Sequence, residues 1–177
     1  DTSDPKYNSE WDGNLEAWIG KGGSTVVYQK FKAKEIWDAI VESAWASAEP
    51  GVFFMDRYNR MSNSWYYSSI QSTNPCGEQG LPPWGVCNLG SINLSRFVEN
   101  KTVLWEDLGR TVRSSVRFLD NVIDDTPYFF EENRKQQQGE RRIGLGTMGL
   151  ADMLIKMELA YGSEPSLKFI DELYRFI

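Results

Sequence analysis

Two stretches, Lys34–Ala48 and Trp105–Ile123, carry apolar side chains at three- and four-residue spacing, and short extended runs separate them from further helical patterns. In the first the stripe is Ile36, Trp37, Ile40, Val41, Ala44 and Trp45. In the second it is Leu108, Val112, Val116, Leu119 and Val122. Both end at a proline, Pro50 and Pro127. Proline lacks the N–H that continues a helix and disfavours helix in the residue before it. Met148–Met157 and Ser166–Ile177 read as two more helices. Val52–Asp56, Val86–Leu94 and Arg142–Leu145 read as short strands. Helices alternating with extended runs predict an α/β fold around a parallel or mixed sheet. Asp1–Gly23 reads as loop with a helical turn near Leu15–Ile19, and Pro127–Glu140 as a polar segment with an aromatic head. Arg57–Gly85 is a long irregular stretch rich in Ser, Asn, Pro and Gly. Loops of that length inside a compact domain are usually functional.

Composition removes several kinds of function. The 177 residues suffice for a sizeable core, and the formal charge of -6 leaves no basic footprint for nucleic acid. The aromatic residues fall at helix-core and loop positions without an interleaved Lys/Arg groove, which predicts packing in preference to base stacking. No apolar run is long enough to span a bilayer, and no signal-peptide pattern opens the chain. Two cysteines cannot staple a secreted scaffold, so a reducing cytoplasm is expected. Histidine is absent, which removes Ser-His and Cys-His catalysis and every histidine-containing zinc site; no metal ligands are assigned. The polar opening without Met, and a final helix with no cap, suggest a chain cut from something longer.

Three features attract attention and have plainer explanations. Gly144–Gly149 (GLGTMG) matches the G-x-G-x-x-G pattern, with Asp171 downstream, but no hydrophobic strand leads into it. Its glycines are expected to form a tight strand-to-helix turn. Tyr66-Tyr67 is expected to pack within the loop, its hydroxyls finding partners. Arg141-Arg142 suits either phosphate binding or an ion-paired turn.

The chemistry concentrates in Asn74-Pro75-Cys76-Gly77-Glu78, with Cys87 eleven positions beyond Cys76. Pro75 fixes its own backbone, and Gly77 tolerates unusual dihedrals beside the thiol, so the pair can present Cys76 at a sharp tip. An extended segment would turn Asn74, Cys76 and Glu78 to one side. There the carboxylate can act as a base and the amide can hold a hydroxyl. The nearest charge to the thiol is Glu78, which disfavours a thiolate. Cys76 is therefore poorly placed for two-electron attack and better suited to losing a hydrogen atom.

These residues carry a resemblance. NPCGEQGLPPWGVCNLGSINLSRF (Asn74–Phe97) resembles the large, catalytic subunit of ribonucleotide reductases, and its Pro-Cys-Gly form resembles the adenosylcobalamin-dependent, class II branch. ESAWASAEPGVFFMDRYN (Glu42–Asn59) and RRIGLGTMGLADML (Arg141–Leu154) resemble the flanking segments of that branch. The resemblance implies a ten-stranded α/β barrel with an internal cysteine-bearing finger loop, here about residues 68–85, of which this chain is the central part. It implies that Cys76 becomes a thiyl radical that takes the ribose 3'-hydrogen, that Glu78 takes the 3'-hydroxyl proton, and that Asn74 binds the substrate hydroxyls. Asn74, Pro75, Cys76, Gly77 and Glu78 would meet the substrate. Cys87 would be one of two thiols that form the redox-active disulfide, its partner lying outside this chain. The implied partners are a ribonucleoside di- or triphosphate, adenosylcobalamin, a dithiol reductant such as thioredoxin or glutaredoxin, the missing parts of the same enzyme, and a second copy in a homodimer. Two other readings compete: an NAD(P)-dependent oxidoreductase, resting on GLGTMG alone, and an idle scaffold piece that retains family sequence.

Overall fold

The computed structural model describes residues 1–177. They divide into two compact units, Asp1–Val52 and Phe53–Ile177.

The first unit holds α1 (Tyr7–Glu10), α2 (Leu15–Gly20) and α3 (Ala33–Ser47). Its N-terminal part closes around Trp18, which is buried, with Tyr7 and Trp11 set edge-on against it. The Trp18 indole N–H donates to the Ser24 carbonyl at 3.0 Å, and the Asp4 carboxylate accepts from the Ser24 amide at 2.9 Å. Helix α3 matches its predicted span, but its apolar stripe is not covered. Trp45 is 89% exposed, and Ile36, Trp37 and Val41 are about half exposed. The stripe was expected to be core, yet no residue of α3 is buried within this chain.

The second unit begins with α4 (Met55–Met61). Val52–Asp56 was expected to be a strand. It is not, because no neighbouring segment offers it a ladder, and Met55 and Asp56 open the helix instead. A short antiparallel hairpin follows, β1 (Ser72–Thr73) and β2 (Gly80–Leu81), so the long irregular stretch has internal structure. Next come β3 (Asn88–Asn93), a 3-10 turn (Leu94–Phe97) and a second hairpin, β4 (Val98–Glu99) and β5 (Thr102–Val103). Then α5 (Trp105–Asp125), α6 (Glu131–Glu140), β6 (Ile143–Met148), α7 (Leu150–Lys156) and α8 (Glu164–Phe176) complete the chain.

Strands β3 and β6 pair in parallel, from Asn88 opposite Ile143 to Asn93 opposite Met148. A parallel pair needs a crossover, and α5 with α6 supplies it. The core lies beside this pair: Ile92, Leu94, Val103, Leu108, Met153 and Leu173 are all buried. Of the predicted α5 stripe, Leu108 and Leu119 are buried and Val116 stays 40% exposed, while Ile123, next to the stripe's Val122, is buried as well. The architecture is thus mixed α/β with three two-stranded sheets and no closed barrel.

Two expectations change here. The polar segment before Arg141 is a helix, α6, which the sequence pattern did not reveal because it lacks an apolar stripe. Gly144 and Gly146 lie inside β6 and do not make a strand-to-helix turn. Only Gly149 turns the chain, with φ +72 at the start of α7, where an added Cβ would meet the Asn93 side chain at 2.5 Å. With its first two glycines held in a ladder, GLGTMG has no phosphate-cradling loop, and the dinucleotide reading loses its support.

Candidate active site

The first hairpin presents Cys76 at its tip. Asn74 is the first residue of a turn in which the Gly77 amide donates to the Asn74 carbonyl at 3.0 Å. Asn, Pro and Gly occupy the turn positions each favours in a type I turn, first, second and fourth. Gly77 has φ +77. The Asn74 amide donates to the Gln79 carbonyl at 3.1 Å, and Asn74 Oδ1 accepts from the Gln79 amide at 3.0 Å. The expectation of an extended Asn74–Glu78 segment is therefore corrected. The backbone reverses at Pro75-Cys76 because proline cannot pair in a ladder and Gly77 accepts a left-handed backbone. Cys76 and Glu78 are both exposed, and Asn74 is half-buried.

The base of the hairpin is tied down from several directions. Asn59 of α4 grips the Ile70 backbone with both ends of its side chain, accepting from the amide at 2.7 Å and donating to the carbonyl at 2.8 Å. The Tyr58 hydroxyl accepts from the Gly80 amide at 3.0 Å, and Arg142 Nη1 donates to the Gly80 carbonyl at 3.2 Å. Ile70 is buried beneath these contacts.

Cys87 sits one residue before β3. It is half-buried, and its Sγ lies 3.8 Å from the Asn88 carbonyl oxygen. Both cysteines are free thiols. Burial pushes the Cys87 thiol up; the Arg142 charge opposes that rise, while Glu78 and Glu140 add to it. The structure thus brings Glu78 of the hairpin into the electrostatic surroundings of Cys87. Gly144 leaves the space beside the sulfur clear: an added Cβ would lie 3.0 Å from Cys87 Sγ.

Around this thiol lies a polar cluster that sequence reasoning missed. Arg142 pairs with Glu140, whose side chain is only 4% exposed. Gln137 is buried; its Oε1 accepts from the Val86 amide at 3.3 Å and its Nε2 donates to the Arg142 carbonyl at 3.1 Å. The arginine pair resolves as ion-paired: Arg141 donates to Asp120 at 2.8 Å and Asp124 at 2.9 Å. Tyr66 and Tyr67 stack edge to face at 4.9 Å but stay more than half exposed, contrary to the expected packing. Burial first, and then the Glu140 charge, push the Tyr67 hydroxyl up. No sequence pattern marked Gln137 or Glu140, since neither belongs to a periodic stripe or a recognised motif. Arg142 was visible only as half of a basic pair.

Chemically, the arrangement offers an open thiol with a carboxylate two residues away and a second, half-buried thiol within range of that carboxylate's charge. No group of His, Cys, Asp and Glu is gathered to hold a metal ion. No helix is long and apolar enough to cross a membrane.

Residues 4–177 match the barrel domain of the ribonucleotide reductase family. Over 152 residues the chain is 46% identical to a vitamin B12-dependent ribonucleoside-diphosphate reductase of Thermoplasma acidophilum, covering 85% of this chain and 20% of that protein. It is 40% identical over 151 residues to a protein of the same name from Mycobacterium tuberculosis, covering 85% of this chain and 22% of that one. It is 32% identical over 172 residues to the ribonucleoside-diphosphate reductase subunit alpha of Chlamydia pneumoniae, covering 94% and 16%. The chain therefore spans about a fifth of the length of the curated relatives it matches.

Proposed function

The chain belongs to the ribonucleotide reductase barrel-domain family, and from that premise we propose that it carries the radical-bearing cysteine segment of an adenosylcobalamin-dependent ribonucleotide reductase. In the assembled enzyme it forms the central part of a ten-stranded α/β barrel, with residues of about 68–85 as the finger loop. The observation that carries this reading is the Cys76 hairpin: an exposed thiol at a proline-glycine turn, two residues from Glu78, with the second thiol Cys87 inside the same electrostatic surroundings.

The residues fit the cofactor on the side they present. An added Cβ at Gly77 would meet nothing within 4 Å, and Pro75, Cys76 and Gly77 are all exposed, so no side chain of this chain crowds the Cys76 tip. Pro75, Cys76 and Gly77 form the surface that would face the cofactor. When bound, adenosylcobalamin supplies the one-electron oxidation that removes the hydrogen atom from the Cys76 thiol.

The chain's own residues then divide the work. The Cys76 sulfur takes the 3'-hydrogen of the ribose and returns a hydrogen at the end of the cycle. Glu78 accepts the 3'-hydroxyl proton. Asn74 uses its Oδ1 to close the turn, which leaves its amide N–H groups for the substrate hydroxyls. Cys87 and a thiol outside this chain give up two electrons and two hydrogens: the 2'-hydroxyl leaves as water, a C–H bond replaces it, and the two sulfurs join as a disulfide. A dithiol reductant of the thioredoxin or glutaredoxin kind restores the pair. The substrate is a ribonucleoside di- or triphosphate, and the enzyme works as a homodimer.

The test is nucleotide reduction by the full-length protein with adenosylcobalamin and a dithiol. Cys76→Ser should abolish deoxyribonucleotide formation while substrate binding persists, because a hydroxyl holds its hydrogen too tightly for this role. Substantial product from the purified serine variant would overturn the radical assignment.

A further inference from the structure

The parallel ladder of β3 and β6 begins with Asn88 opposite Ile143. Extending the register one step back sets Cys87 opposite Arg142. Residues paired in this way project their side chains to the same face of the sheet. From this register we infer that Arg142 is a positioning residue that couples the Cys87 thiol to the base of the Cys76 hairpin, with Glu140 as its counter-charge. The inference rests on the reading of Cys87 as a reducing thiol.

Arg142 reaches in two directions at once. Its Nη1 donates to the Gly80 carbonyl at the hairpin base, and its Nη2 donates to Glu140 and contacts Ser64 Oγ at 3.5 Å. Its Nε is buried without a hydrogen-bond partner, so the guanidinium is held by its two terminal nitrogens alone. Gln137 fixes the backbone on both sides of the pair, accepting from Val86 and donating to the Arg142 carbonyl. This side-chain bridge continues the strand pairing where the ladder stops, and Cys87 lies between the bridge and the first rung. The same arginine thus holds the hairpin base through its Nη1 and, through its carbonyl and Gln137, the Val86 backbone next to Cys87.

The charge of Arg142 has a separate effect. Thiol–disulfide exchange proceeds through the thiolate, so a reducing thiol works faster when its ionised form is favoured. The charged groups facing Cys87 are Arg142 from the start of β6, Glu140 from α6 and Glu78 from the hairpin. Burial and the two carboxylates oppose ionisation, and Arg142 alone favours it.

The experiment measures the pH dependence of iodoacetamide alkylation at Cys87 in the full-length protein. A Cys76→Ser background and peptide mass spectrometry isolate the signal. Arg142→Met should move the alkylation midpoint upward by about one pH unit, allowing for partial cancellation by Glu140. Arg142→Gln, which keeps amide donors for Gly80, should move it the same way and serves if the methionine variant does not fold. Arg142→Lys should restore the original midpoint, and Glu140→Gln should lower it. A merely structural role predicts the opposite sign, because loosening the cluster exposes the thiol and relieves the burial that raises it. An unchanged or lowered midpoint in a folded Arg142→Met or Arg142→Gln protein overturns the inference. Alkylation needs no nucleotide chemistry, so failure of the reductase reading shows separately, as absence of deoxyribonucleotide formation by the unsubstituted protein.

Discussion

Replacing Gln137 by methionine should loosen the segment that leads into Cys87 without opening a cavity. The two side chains are similar in volume, so the change removes hydrogen bonds and leaves packing nearly intact. Two backbone groups lose their partner. The Val86 amide is the weaker case: its bond is long at 3.3 Å, and Val86 is 41% exposed, so water can take over. Its loss costs about 0.5–1 kcal/mol. The Arg142 carbonyl, bonded at 3.1 Å in a part-buried setting, costs about 1–2 kcal/mol when left unpaired. The sum is about 2 kcal/mol, or roughly thirtyfold in a local opening equilibrium. Global unfolding of a protein with several units is a poor probe of one clasp. Amide exchange of the peptide containing Val86 to Asn93, measured by mass spectrometry in the native full-length protein, reads the clasp directly. Exchange should quicken by roughly ten- to thirtyfold. Exchange within about twofold of the unsubstituted protein would refute the reasoning that Gln137 extends the strand pairing.

Glu78→Gln should lower turnover by about 10²–10⁴-fold with a smaller effect on substrate affinity, and a loss below about tenfold would mean that another group takes the proton. Cys87→Ser should permit 3'-hydrogen chemistry but block multiple-turnover reduction; normal turnover with a thiol reductant would remove its redox role. Asn74→Asp should keep the Gln79 amide slow to exchange, because the acceptor survives, whereas Asn74→Ala should speed it; equal exchange in the two variants would show that the side chain does not close the turn. Hydrogen bonds from Arg141 hold the Asp124 carboxyl below its ordinary value of 3.8. A lowered carboxylate contributes stability that is complete above that ordinary value and is lost as pH falls through the lowered one. Acid titration followed by amide exchange in α5 and α6 should therefore show the Arg141 clasp intact at about pH 5 and weakening progressively as pH falls below that ordinary value, with Asp124→Asn flattening the change.

The long elements were legible because their physics is local. Lys34–Ala48 and Trp105–Ile123 announce themselves by spacing and by the prolines that stop them, and both occur close to the predicted bounds. A parallel or mixed sheet was legible as a class, while the pairing of Asn88–Asn93 with Ile143–Met148 and its register were not. The hairpin carrying Cys76 was foreshadowed by Pro75 and Gly77, but the extended geometry assigned to Asn74–Glu78 ignored the closure that Asn74 makes with Gln79. Helix α6 escaped notice because its buried residue is a glutamine. A helix held by hydrogen bonds to neighbouring backbone leaves no apolar period in the sequence. The strand expected at Val52–Asp56 failed for the opposite reason: apolar β-formers need a partner strand, and a sequence pattern does not reveal whether one is present.

The hairpin has only two registered pairs, and its fixed points are at the base, where Tyr58, Asn59 and Arg142 hold Ile70 and Gly80. Mechanically it is a cantilever with the thiol at the free end. Cys76 lies four positions before Gly80, an arm of at most ~13 Å at about 3.3 Å per residue. Rotating the root by about five degrees swings the sulfur through roughly 1 Å, a displacement that can cost about 10²-fold where reacting atoms must meet at contact distance. On the proposed role of Cys76, the accuracy of the thiol is set by the stiffness of its mounting, and the side chains at the root of the hairpin govern how well the tip is aimed.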